Sequence, residues 1–107
     1  MELILVDVFS KKPFSGAGLA VVTEANHLDA ATMQAIANWT NLSETTFVTS
    51  CNNLDTYNLR IFTPTSELDF AGHPTVGSAF ALHAMEKLSG TSFSQICGVG
   101  NLSLIHI

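Results

Sequence analysis

The stretch from Phe70 to Leu88, FAGHPTVGSAFALHAMEKL, constrains this chain more than any other. Ala71-Gly72 interrupts the pattern before it. His73-Pro74-Thr75 reads as the opening turn of a helix, since proline at a first helical position loses no hydrogen bond. Val76, Ala79, Phe80, Ala81, Leu82, Ala84, Met85 and Leu88 then put apolar side chains on nearly every side. Glu86 and Lys87 bring the only formal charges, in the last turn. A helix apolar all round belongs in an interior, so the remaining elements are expected to wrap it. Its first-turn N–H groups have no intrahelical acceptors and carry partial positive charge. An Ala-Gly entry lets a ligand oxygen come close to the backbone. The expectation is an anion site, for a carboxylate, at Gly72 to Thr75. The alternative is a helix start satisfied by its own chain or by water.

A chain of 107 residues supports one domain, 1–107, around a single core. Its charged fraction is 12% and its hydrophobic fraction 47%, against about 25% charged in an ordinary soluble domain. So few charges on so small a body imply that part of its surface is covered. A missing C-terminal domain or a homo-oligomer partner would serve. The net charge of −5 and only four cations, Lys11, Lys12, Arg60 and Lys87, exclude a nucleic-acid partner. Cys51 and Cys97 have neither CxxC spacing nor a neighbouring histidine cluster, so no metal is expected. Met1-Glu2 is acidic and Leu3 to Val6 too short for a signal peptide, which points to a cytoplasmic setting with free thiols. Phe70 to Met85 is too polar for a membrane span. There is no Gly-rich phosphate loop, so no cofactor is expected.

Along the chain, Leu3 to Phe9 reads as a buried strand, Ser10 to Gly18 as a loop and Leu19 to Thr23 as a second strand, together a wide hairpin. Asp29 is placed to cap a helix. Met33, Ile36, Ala37 and Thr40 give that helix an apolar face, and it ends near Trp39 to Asn41. Leu42 to Thr49 and Tyr57 to Phe62 alternate as strands, with a turn between them that favours antiparallel pairing. Tyr57, Leu59 and Ile61 share one face; Asn58, Arg60 and Phe62 share the other. Gly90 is placed for a left-handed cap after the central helix. Thr91 to Ile96 and Asn101 to Ile107 read as two more strands, and the chain stops inside strand-like sequence. The fold class expected is α+β: a mostly antiparallel sheet rolled around a buried central helix, with one outer helix. A flat sheet with both helices on one face is the other arrangement.

Glu44 opens a strand among Thr45, Thr46 and Phe47. A carboxylate with apolar neighbours and hydroxyl donors suits general acid or base work. The alternative is a strand-edge glutamate facing water. His73, beside the expected anion site, is able to donate a hydrogen bond or shuttle a proton. Glu67 and Asp69 share one face if extended, and Asp7 and Arg60 are candidates for a structural ion pair between strands.

Four segments carry a family resemblance: DVFSKKPFSGAGLAVV (Asp7 to Val22), MQAIANWTNLSETTFV (Met33 to Val48), LRIFTPTSELDFAGHPTVGSAFAL (Leu59 to Leu82) and QICGVGNLSL (Gln95 to Leu104). In this order the chain resembles the PhzF-like family, the phenazine biosynthesis isomerase-like proteins of diaminopimelate epimerase fold. NLSET and FAGHPT together are the specific pair. The resemblance implies a two-domain protein with its site in the cleft, of which this chain is the N-terminal half. It implies an isomerase moving a proton on a small carboxylate-bearing substrate, without a cofactor. It further implies Glu44 as the acid/base residue, and Gly72, His73 and Thr75 in the substrate pocket. Gly16-Ala17-Gly18 departs from the family's Gly-Asn-Pro. Ala71 stands where the epimerases of this fold carry a cysteine, which disfavours two-thiol racemisation. The other functional class is a non-catalytic binding or scaffold domain of the same fold.

Overall fold

Hairpins make up most of the sheet, as the alternating segments predict. The computed structural model describes residues 1–8, 17–53, 55–88 and 92–105. The elements are β1 (Leu3–Val8), β2 (Ala17–Val22), α1 (Ala30–Thr40), β3 (Glu44–Asn53), β4 (Thr56–Phe62), β5 (Glu67–Leu68), α2 (Gly72–Ala84), β6 (Ser92–Cys97) and β7 (Gly100–Ile105). Most of the expected Ser10 to Gly18 loop and the expected Gly90 cap lie outside the described residues. The strand order is β1-β2-β3-β4-β6-β7, with β5 against β4. β1/β2, β3/β4, β4/β5 and β6/β7 are antiparallel. β2/β3 and β4/β6 are parallel. A parallel neighbour needs a long crossover, and the two helices supply it: α1 between β2 and β3, α2 between β4 and β6. The class is α+β.

Alternation sorts the strand side chains onto two faces. Leu19, Val21, Val48, Tyr57, Leu59 and Ile61 form one core with Ala81 and Leu82 of α2, joined by Leu88 and Phe93. Val22, Phe47 and Phe62 form the other with Met33 and Ala37 of α1. There Phe47 and Phe62 meet edge to face, ring centres 5.4 Å apart. The sheet therefore carries the central helix on one face and the outer helix on the other. The outer helix starts as expected, with the Asp29 carboxylate accepting the Thr32 N–H at 2.8 Å. It ends on Asn41 in the left-handed conformation, whose N–H reaches the Ala37 carbonyl.

Three expectations change. The central helix is not covered all round: it buries Pro74, Thr75, Gly77, Ser78, Ala81 and Leu82, while Val76 is 53% and Phe80 60% exposed. Small residues let one side of α2 sit tightly on the sheet, and nothing among the described residues covers the other. The helix also stops at Ala84 rather than Leu88. Glu86 takes a positive φ of 63°, and the Lys87 and Leu88 amides both turn back onto the Leu82 carbonyl, which drops Leu88 into the core. Finally, β1 is an edge strand, not a buried one. α1 packs over β3 and β4, so the β1 side chains Leu3 and Leu5 on that face stay exposed.

Candidate active site

Glu44 is the first residue of β3, paired with Leu19 of the parallel strand β2. By alternation Glu44, Thr46 and Val48 all face α2. Thr46 fixes the height of the helix, because its hydroxyl is 2.7 Å from the Ser78 hydroxyl in a buried contact. Two residues earlier on the same face, Glu44 then falls beside the start of α2. Its Oε1 lies 3.3 Å from His73 Nδ1, with the two side chains 13% and 14% exposed. The two groups are within ion-pair distance, an attraction that is complete when the imidazole carries its second proton.

The backbone at this point is the first turn of α2. Ala71, extended at φ −152°, is the N-cap and offers no capping side chain. The N–H groups of Gly72 and His73 have no intrahelical acceptor, and Pro74 has no N–H at all. A Cβ built on Gly72 would meet nothing within 4 Å, so there is room for a ligand against this turn. Carboxylate, histidine and electropositive helix end therefore share one partly sheltered corner.

Of the residues read from the sequence, Glu44, Gly72 and His73 come together here. Thr75 is different in kind. It is buried, its hydroxyl donates to the Ala71 carbonyl at 2.8 Å, and it accepts from Gln95 Nε2 at 3.1 Å. Gln95 in turn accepts from the Tyr57 hydroxyl at 2.9 Å, whose pKa burial pushes up, so it stays a donor. Gln95 and Tyr57 were not singled out from the sequence. The available signal was a lone amide in the same strand phase as the core residue Phe93.

The expected Asp7–Arg60 pair does not form, because β2 and β3 separate the two strands. Arg60 instead holds Glu67 through two 2.8 Å hydrogen bonds, and this keeps the Glu67 carboxyl below its ordinary pKa. Asp69 lies against Gly98 in the β6–β7 turn. Among the described residues no helix is long and apolar enough to cross a membrane.

Residues 6–107 match the family model described as PhzC-PhzF, phenazine biosynthesis-like protein. The chain belongs to the PhzC-PhzF family. A relative from Schizosaccharomyces pombe, named antisense-enhancing sequence 1, is 57% identical over 79 residues, 72% of this chain and 26% of its own length. The trans-2,3-dihydro-3-hydroxyanthranilate isomerase of Pseudomonas chlororaphis is 47% identical over 81 residues, 76% of this chain and 29% of its own. The PhzF-family structure from Enterococcus faecalis superposes with a TM-score of 0.88 at 33% identity, covering 98% of this chain and 40% of that one. The Bacillus anthracis family structure gives 0.87 at 33% identity, with 98% and 36% covered. The chain thus spans well under half the length of these PhzF-family relatives.

Proposed function

We propose that this chain is the N-terminal domain of a two-domain isomerase that shifts a proton on a small carboxylate-bearing substrate. The observation that carries the reading is the 3.3 Å approach of Glu44 to His73 at the uncapped start of α2. Trans-2,3-dihydro-3-hydroxyanthranilate, named for the Pseudomonas relatives, has the chemistry the site needs. Its carboxylate binds at the Gly72 and His73 amides. The ionised Glu44 takes a proton from a ring carbon, and the C–H electron pair enters the conjugated system. Negative charge developing there is stabilised by the helix start. Glu44, now a carboxylic acid, returns the proton to another carbon of the same system. A double bond moves, nothing is oxidised, and the side chain ends as it began. No cofactor takes part in these steps. His73 keeps the Glu44 carboxylate turned toward the substrate.

A second domain forms the opposite wall of the pocket. The relatives' greater length supports this, as do the uncovered Val76 and Phe80 on α2. In the protein completed by that domain, Glu44→Gln is expected to lower kcat for this substrate by roughly 10²- to 10⁴-fold with little change in KM. A kcat within a few-fold of the parent's would overturn the assignment.

A further inference from the structure

We infer that Gln95 is a positioning residue: it acts through Thr75 to set the peptide plane that aims the Gly72 N–H at the ligand. The inference rests on reading that turn as the carboxylate site. Gln95 sits in mid-strand on β6, fully buried, opposite Tyr57 of β4 in register. A buried primary amide is costly unless both its ends are bonded, and here the two ends do different things. Oε1 accepts from the Tyr57 hydroxyl and Nε2 donates to Thr75 Oγ1. A threonine hydroxyl has a single proton. With one lone pair taken by Gln95, that proton goes to the Ala71 carbonyl, 2.8 Å away. The Thr75 amide also reaches this carbonyl, but at a stretched 3.4 Å, so the hydroxyl is the shorter hold.

The Ala71 carbonyl and the Gly72 N–H belong to one planar trans peptide and point in opposite directions. Drawing the carbonyl in toward Thr75 turns the Gly72 N–H outward. A polar chain with one fixed direction, Tyr57 to Gln95 to Thr75 to Ala71, thus runs from the middle of the sheet to the first donor of α2. The ionisable groups around it are Tyr57, with Cys51 and Cys97 near its hydroxyl, and Glu44 and His73 at the turn itself.

Direction separates positioning from simple packing, and Gln95→Glu tests it. A protonated carboxyl accepts from Tyr57 and donates to Thr75, as the amide does; an ionised one only accepts. On ionisation the Thr75 proton must turn to the new carboxylate and release Ala71. The experiment follows the Gly72 amide resonance of the ¹⁵N-labelled chain against pH, alone and with benzoate as the probe. Gln95→Met, and Thr75→Val, which keeps the side-chain shape, are each expected to move the Gly72 resonance and to weaken benzoate binding by about tenfold, the scale of one buried group left unsatisfied. The double variant loses no more than either single one. Gln95→Glu behaves like the parent at low pH and like Gln95→Met at high pH, with a midpoint the parent lacks. The inference is overturned if the Gly72 resonance is the same in all these chains at every pH, if the two single losses add, or if Gln95→Glu shows no pH-dependent recovery. Should the parent itself ignore benzoate while its Gly72 resonance still follows Gln95, the carboxylate site is wrong and the positioning stands.

Discussion

Glu44 and His73 stand 29 positions apart in the sequence, and neither residue type alone singles out a site. The family motifs NLSET and FAGHPT named them; the register of β3 against α2 explains why they meet. Gly98 is a residue whose necessity only the folded chain reveals. A Cβ there would fall 2.6 Å from Asp69 Oδ1 and 2.8 Å from Asp69 Cα. The second atom is backbone and cannot swing away. Gly98→Ala is therefore expected to cost about 1–3 kcal/mol in urea unfolding, the usual penalty of overpacking. Glu67 gives a pH-dependent case. Its carboxyl is held below the ordinary value of 4.5 by Arg60, so its contribution is complete above that value. It is lost as pH falls through the lowered native value. Both partners are 38% exposed, so screening limits the pair to about 1 kcal/mol or less. Glu67→Gln should lower neutral stability by that amount and leave stability at low pH, where the parent carboxyl is already protonated, nearly unchanged, which flattens the acid limb of the profile. Equal acid limbs in the two chains would show that the pair contributes nothing.

At the scale of elements, alternation was readable because each strand face meets a different helix. Tyr57, Leu59 and Ile61 go to α2, and Phe62 to α1. The outer helix was readable from its cap and its spacing. The parallel joins β2/β3 and β4/β6 were not, since local pattern cannot show which strand a crossover returns beside. Nor could apolar residue type distinguish the buried side of α2 from its open side: Leu82 and Phe80 look alike as letters. Beside the apolar contacts of Ala81 and Leu82, a polar one docks the helix, the Thr46–Ser78 hydroxyl pair. Thr46→Val keeps the shape and strands the Ser78 hydroxyl, which should cost about 1–3 kcal/mol. The double variant Thr46→Val/Ser78→Ala should recover part of that loss. Additive losses on denaturant titration would mean that the pair is not coupled.

For the whole molecule, one helix on each sheet face closes two cores, yet one side of α2 remains open at Val76 and Phe80. An apolar face of this kind draws copies of the chain together in the absence of a cover. The light-scattering mass of the isolated chain is expected to rise with concentration. Val76→Ser/Phe80→Ser should suppress that rise while shifting unfolding by no more than about 0.5 kcal/mol per site, as for surface positions. A mass independent of concentration in the parent would show that the open face is not adhesive. The low charge content, 12%, already pointed to such a covered surface, without locating it.

The central claim is that Glu44, turned by His73, carries the proton at the start of α2. Its most direct measurement is deuterium incorporation from heavy water into trans-2,3-dihydro-3-hydroxyanthranilate by the completed protein, with and without Glu44→Gln. The account predicts substrate-dependent incorporation in the parent and its loss in the variant, with the fold intact by circular dichroism. Incorporation at an unchanged rate in Glu44→Gln would contradict it.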